Sequence, residues 1–389
     1  MKSGRRDTPF SCLQIEKNYS MNEVKDKNFV FSPFSIQLAL SLLTNGSTGS
    51  TKTELLTFLE AQSLDDLNSK SEQALRKLCK NKKGDPILSV IGGVWIDRSL
   101  TIKPSFKDNA ERVYKAKAET VDFQDMVKSK EAIQKVNRWA EESTNGLIKD
   151  VLPEDDFNPA RRIILANALY FKGRWLDRFD SKVTKNATFN LLGGDSVEVP
   201  FMSSRLYQYI ATFDEFKILK LLYDRMSLCI SMYILLPNKR DGLWSLIDMV
   251  GSDPLFMEKY LSKGSELVMV GEFMVPKFKI DHGFDAKEVL EELGLKSTFS
   301  GNAKLGEMAH GASCPVSKVI HRSYIDVNEE GTEAAGVTVI ESWECSDGSP
   351  PRPKTQVDFV ADHPFMFMVK NDISGEVLFM GHVINPSLQ

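Results

Sequence analysis

Histidines, cysteines and paired carboxylates are the side chains of this sequence with the widest chemical reach. Their spacing argues against catalysis. His282, His310, His321, His363 and His382 lie far apart and show no metal-ligand spacing. No G-x-S-x-G nucleophile elbow and no H-E-x-x-H pair is present. Neither a G-x-x-x-x-G-K-[ST] phosphate loop nor a G-x-G-x-x-G turn occurs. Carboxylate neighbours such as Glu291-Glu292 fall on helical segments that read as solvated. The sequence therefore offers no positive support for an enzyme, and it implies no catalytic residue, metal or cofactor. Cys12, Cys79, Cys229, Cys314 and Cys345 are odd in number, scattered and without C-x-x-C spacing. That pattern fits free thiols in a reducing compartment better than a disulfide framework.

A different kind of chemistry is carried by the stretch from Val327 to Phe365. Its left end, Glu329-Glu330-Gly331-Thr332-Glu333-Ala334-Ala335-Gly336, is small, turn-capable and acidic. Between Ala335 and Asp358 lie 22 residues without helical periodicity. A loop of that length in a compact chain is uncommon, and is usually functional or disordered. Val337-Thr338-Val339-Ile340 has strong strand preference. Ser349-Pro350-Pro351-Arg352-Pro353 cannot form a central strand, because proline lacks the ladder donor. One half of the loop can thus become a strand, and the other half is a spacer.

The elements that must hold this loop are legible in outline. Phe29-Val30-Phe31 reads as a short buried strand. Ser32 caps a helix with Pro33 in its first turn, and the run through Leu43 is apolar on most faces, as a central helix would be. Helices follow at about 51–59, 64–79, 103–114 and 131–142. Ile87 to Ile96 and Ile163 to Phe171 read as strands buried on both faces. After residue 185 strands dominate, with candidates at 207–210, 216–221, 228–236, 267–280, 316–327, 365–369 and 377–383, and helices at about 243–250 and 285–293. Early helices, late strands and no βαβ alternation give an α+β class with a large mixed or antiparallel sheet. The 389 residues contain no Gly/Ser/Pro-rich linker and no repeat, which favours one domain. A net charge of −4 shows no bias towards nucleic acid or membrane. Five basic residues within Arg76–Lys83 read first as a solvated helix end near the C-terminal dipole; a polyanion site is the sharper alternative. The N-terminus, Met1 to Asp7, has no apolar run and is not a secretory signal. A cytoplasmic or nucleocytoplasmic location is expected, with unconventional release to the outside left open.

The hinge Glu329-Glu330-Gly331-Thr332-Glu333-Ala334-Ala335 and the segment Asp358-Phe359-Val360-Ala361-Asp362-His363-Pro364-Phe365 resemble those of plant serpins. The resemblance runs from about Phe29 to Pro386, with residues 1–28 a divergent segment and first helix ahead of a domain over 29–389. It implies a single-domain serpin fold: a large mixed sheet, two further sheets, about nine helices and an exposed reactive-centre loop over about 329–357. Ser32 and Ser35 match the shutter beneath the point where the main sheet parts, together with Asn167 and His321. Trp175 matches the breach tryptophan, and Lys277 a lysine that pairs with the hinge glutamate, here Glu329.

Serpins of this kind are suicide inhibitors. The target protease acylates itself on the loop, and the cut loop enters the main sheet as a new strand. Family spacing of seventeen residues from Glu329 places the scissile bond at Cys345-Ser346. This departs from the common Arg or Lys and disfavours a trypsin-like target; a serine endopeptidase with a small or medium apolar first pocket, or a papain-like cysteine endopeptidase reading a residue upstream, is the expected partner, in a covalent complex with a monomer. Arg352 and Lys354 are alternative bait residues. Cys345 reads as an ordinary free thiol ahead of a redox handle. Thr332, Ala334, Ala335 and Gly336 are small, which favours inhibition over the alternative, a non-inhibitory serpin acting as a binding or chaperone-like protein.

Overall fold

The computed structural model describes residues 8–78, 87–144, 146–204, 207–224, 229–261, 266–332 and 356–388. Among them the chain forms nine α-helices, one short π-helix and three sheets. Ser32 opens the helix Pro33–Gly46 by accepting from Ser35 N, with Pro33 at its first position. The missing proline N–H costs nothing there, because the first-turn donors have no intrahelical partner. Phe34, Ile36, Leu40, Leu42 and Leu43 are buried, so the helix forms the floor of the molecule's main core.

Above this floor lies the six-stranded sheet. Its order is Phe278–Asp285, Lys318–Asn328, Gly331–Thr332, Ile163–Arg174, Ile87–Asp97 and Lys117–Val121. The strand Ile163–Arg174 is buried along nearly its whole length. Ile163, Leu165, Leu169 and Phe171 join the core above the central helix. Ile164 and Ala166 belong to a separate cluster with Val136, Trp95 and Leu152. This two-sided burial explains its near-continuous apolar sequence.

The strands Lys318–Asn328 and Ile163–Arg174 run parallel, paired from Lys318↔Ile164 to Ser323↔Leu169. Beyond that point the direct ladder ends. The top of the seam is filled by Gly331–Thr332, paired with Val327 and Asn328 on one side and with Gly173 and Arg174 on the other.

The ten-stranded sheet is largely antiparallel and carries Gln356–Val360 as a parallel neighbour of Leu267–Pro276. A third, two-stranded sheet pairs Ala309–His310 with Thr101–Ile102. The single strand expected over 267–280 is in fact two. Leu267–Pro276 stays in the ten-stranded sheet, and Phe278–Asp285 is the edge of the six-stranded one. Pro276 has no ladder donor, and Lys277 N turns to Pro200 O at 3.0 Å. The helix expected at 285–293 is correspondingly short, Lys287–Glu292, because Asp285 still belongs to the strand. Strands Lys117–Val121, Lys185–Asn190 and Ser196–Met202 were not signalled by apolar runs; their solvent faces carry Lys, Asn, Glu and Ser. Residues 10–28 are integral to the fold. Helix Phe10–Glu23 buries Cys12, Leu13 and Ile15, and Lys17 pairs with Asp248 at 2.7 Å.

Candidate functional site: the seam of the six-stranded sheet

Halfway along the seam, His321 and Asn167 are direct register partners in the parallel ladder. His321 is fully buried. Its Nε2 accepts from Ser32 N at 2.9 Å, which leaves Nδ1 as the N–H that donates to Asn167 Oδ1. Ser323 Oγ lies 2.9 Å from the same Nε2. Asn167 Nδ2 donates to Ser35 O at 3.3 Å, and Ser32 Oγ accepts from Ser35 N at 3.0 Å. Burial first, and the neighbouring His282 second, push the His321 pKa down to about 3. The ring is therefore neutral, in agreement with its accepting role. Ser35 Oγ is buried without a hydrogen-bond partner among the described residues. The four residues Ser32, Ser35, Asn167 and His321 thus meet in one network that joins the start of the central helix to both seam strands. Parting the strands by one strand spacing, ~4.8 Å, breaks the His321–Asn167 bond.

At the top of the seam, Trp175 donates Nε1 to Asn328 O at 2.8 Å and its backbone N to Glu330 O at 3.0 Å. Its indole stacks on Tyr223 with centroids 4.5 Å apart. The Tyr223 hydroxyl is hydrogen-bonded to Thr332 Oγ1, and burial pushes the Tyr223 pKa well above the ordinary tyrosine value. Lys277 Nζ lies 2.9 Å from Glu329 Oε2, and Thr184 Oγ1 donates to Glu329 Oε1 at 2.9 Å. Partial burial alone would raise the Glu329 pKa; the bonds from Lys277 and Thr184 outweigh it and hold the carboxyl below its usual range. Arg178 pairs with Glu330 at 3.2 Å.

Gly331 has φ +153°, and a Cβ there would lie 2.0 Å from Gly173 O and 2.8 Å from Arg174 Cα. Only glycine permits this approach of the hinge to the neighbouring backbone. Thr332 is 1% exposed, so Gly331–Thr332, the part of the hinge that is described beyond Glu330, is seated in the sheet.

Of the remaining hinge and bait residues named from the sequence, Glu333, Ala334, Ala335, Gly336, Cys345 and Ser346 lie outside the described residues. So does the basic run from Cys79 to Lys83; Arg76, at the end of helix Leu64–Leu78, pairs with Glu72 at 3.1 Å. Ser323, Tyr223, Thr184 and Arg178 are seam contacts that sequence reasoning missed. Ser323 stands two residues from His321 and so faces the same way on the strand; that signal was available. Arg178 and Thr184 lie on the connection that follows strand Ile163–Arg174, and Tyr223 follows strand Phe216–Leu222; none of the three carried a local pattern. No group of three or more possible metal ligands occurs among the described residues.

A sheet that pairs at one end, parts at the other and holds the start of a loop in the gap defines a class of protein. A family model described as Serpin (serine protease inhibitor) matches residues 10–386, and the chain belongs to the serpin family. Serpin-ZX of Arabidopsis thaliana is 42% identical over 396 residues, covering 96% of this chain and 98% of the relative. Serpin-ZXA of Oryza sativa subsp. japonica is 43% identical over 372 residues, covering 93% and 91%. The solved structure of Arabidopsis AtSerpin1 in its native stressed conformation has a TM-score of 0.87 at 41% identity, covering 97% of this chain and 96% of that one. Uncleaved ovalbumin, with a TM-score of 0.83 and 23% identity over 98% of this chain and 99% of its own, shares the fold.

Proposed function

We propose that this serpin is a suicide-substrate inhibitor of serine or papain-like cysteine endopeptidases. The observation that carries the reading is Gly331–Thr332, which already occupies the top of the seam as the first residues of an inserting strand. In the reaction the protease nucleophile attacks the Cys345 carbonyl carbon. The Cys345–Ser346 bond breaks, the new amine leaves on Ser346, and the acyl-enzyme remains on Cys345. The loop then continues from Thr332 down the seam, parting the two strands and carrying the acylated protease with it. Two-state behaviour of this kind is stored strain released by loop insertion. The small residues beyond Thr332 and the β-branched run 337–340 suit a strand with neighbours on both sides.

The test is incubation with elastase-like, papain-like and trypsin-like enzymes followed by boiling in SDS. A covalent serpin–protease band with a new N-terminus at Ser346 is the expected result. Clean loop cleavage without a band for every enzyme supports the non-inhibitory binding protein instead. A band with a different N-terminus keeps the mechanism and moves the bait residue.

A further inference from the structure

The lower end of the seam is tied by side chains outside the shutter and the hinge. Residues 146–162 connect helix Met126–Ser143 to strand Ile163–Arg174 and cross the outer face of the sheet. Ile148 and Leu152 are fully buried there. Leu152 belongs to the cluster of Ile164, Ala166 and Ile320, and Ile148 to that of Ala168, all four being residues of the seam strands. Asn137 fixes the crossing by bonding Leu152 N at 2.9 Å and Leu152 O at 2.8 Å.

From this segment Asp156 reaches both strands. Its Oδ2 lies 2.7 Å from Nζ of Lys318, the first residue of one seam strand. Its Oδ1 lies 2.8 Å from Nη2 of Arg161, just ahead of the other. Arg161 is 1% exposed, lies 5.6 Å from the centre of the Phe123 ring, and donates Nη1 to Asp156 O at 2.8 Å. Burial alone would raise the Asp156 pKa, but the Lys318 bond and the Arg161 charge hold it low. The carboxylate therefore spans the seam at its first rung, Lys318↔Ile164.

We propose that Asp156 is a positioning residue for the insertion step: its bond to Lys318 clasps the lower seam and sets how fast an inserting strand reaches the bottom of the sheet. The proposal rests on the inhibitory reading above. The two ion pairs of Asp156 differ in what insertion does to them. Arg161 lies on the same segment as Asp156 and moves with it. Lys318 lies across the seam, and a new strand between it and Ile164 displaces it by ~4.8 Å. Lys318–Asp156 is thus the bond that breaks, and Arg161 keeps the carboxylate paired while it does. Removing Asp156 would leave Arg161 buried and uncompensated, which is strongly destabilising. Lys318, at 27% side-chain exposure, is the position to vary.

The experiment follows uptake of a synthetic peptide of residues 332–345 by the intact protein, read as appearance of a heat-resistant species. Lys318→Gln is expected to take up the peptide about three- to ten-fold faster than the wild type, the range for loss of one charged hydrogen bond at a partly exposed site. Lys318→Arg is expected to restore the wild-type rate. A merely structural role would move the unfolding midpoint of the peptide-filled protein as well, and that midpoint is expected to be the same in all three. A Lys318→Gln rate within about two-fold of the wild type overturns the clasp while leaving inhibition intact. A wild type that accepts no peptide and gains no heat resistance when its loop is cut removes the inhibitory reading, and the clasp with it.

Discussion

His321 can hold the seam only as a neutral imidazole, because its Nε2 must accept from Ser32 N. This ties stability to pH. Burial holds the pKa of His321 down at about 3, and burial with its cationic neighbours holds that of His282 down at about 4. In the unfolded chain both titrate near the ordinary ~6.5. The unfolded state thus binds protons first, and the stabilisation present above ~6.5 is lost as pH falls towards the two folded values. Each residue contributes a slope of ~1.4 kcal/mol per pH unit, so denaturant unfolding at about pH 5.5 should show ~2–3 kcal/mol less stability than at about pH 7.5. His321→Gln should flatten that profile by about one proton; an unchanged slope would remove His321 from this account. Gly331 makes a second prediction at this scale. Gly331→Ala places a Cβ against the Gly173 carbonyl, so the hinge cannot seat. The variant is expected to be cut as a substrate with a reduced covalent fraction, measured as the moles of inhibitor consumed per mole of protease inactivated.

At the scale of elements, the seam works because two strands pair at one end and are spaced by the hinge at the other. Tyr223 is the post on which the hinge rests. Tyr223→Phe leaves the buried Thr332 hydroxyl without this partner, a loss of ~1–3 kcal/mol. A glutamate-specific protease should then cut after Glu330 faster than in the wild type; equal rates would show that the hydroxyl pair does not hold the hinge. Much of this scaffold was legible. The near-continuous apolar run Ile163–Phe171, broken by Asn167, and the Ser32-Pro33 helix start carried their burial and their cap in the sequence itself. The divided strand at Pro276 and Lys277 was not, because β-branched and aromatic residues continue on both sides of the proline. What decides it is the change of sheet, a tertiary fact. The same holds for the site: residues inside family motifs, such as His321 and Asn167, could be named, whereas Tyr223 and Thr184 reach the hinge from distant segments with no local pattern.

For the whole molecule, the proposed inhibitory mechanism sets function against stability. Completing the six-stranded sheet with the loop would add backbone pairing on both sides of a new strand, of which Gly331–Thr332 forms the first two residues. The hinge contacts of Trp175, Tyr223 and Lys277 hold the top of the gap, the His321–Asn167 bond its middle and the Lys318–Asp156 bond its foot. Each is modest in energy, and on the proposed mechanism together they act as a barrier to insertion more than as a reserve of stability. The most direct test of this account is thermal unfolding of the protein before and after a single cut in the 333–355 loop by a protease it does not inhibit. The account predicts that the cut chain, with its loop inserted, unfolds at a markedly higher temperature than the intact one. An equal or lower unfolding temperature after the cut would contradict it.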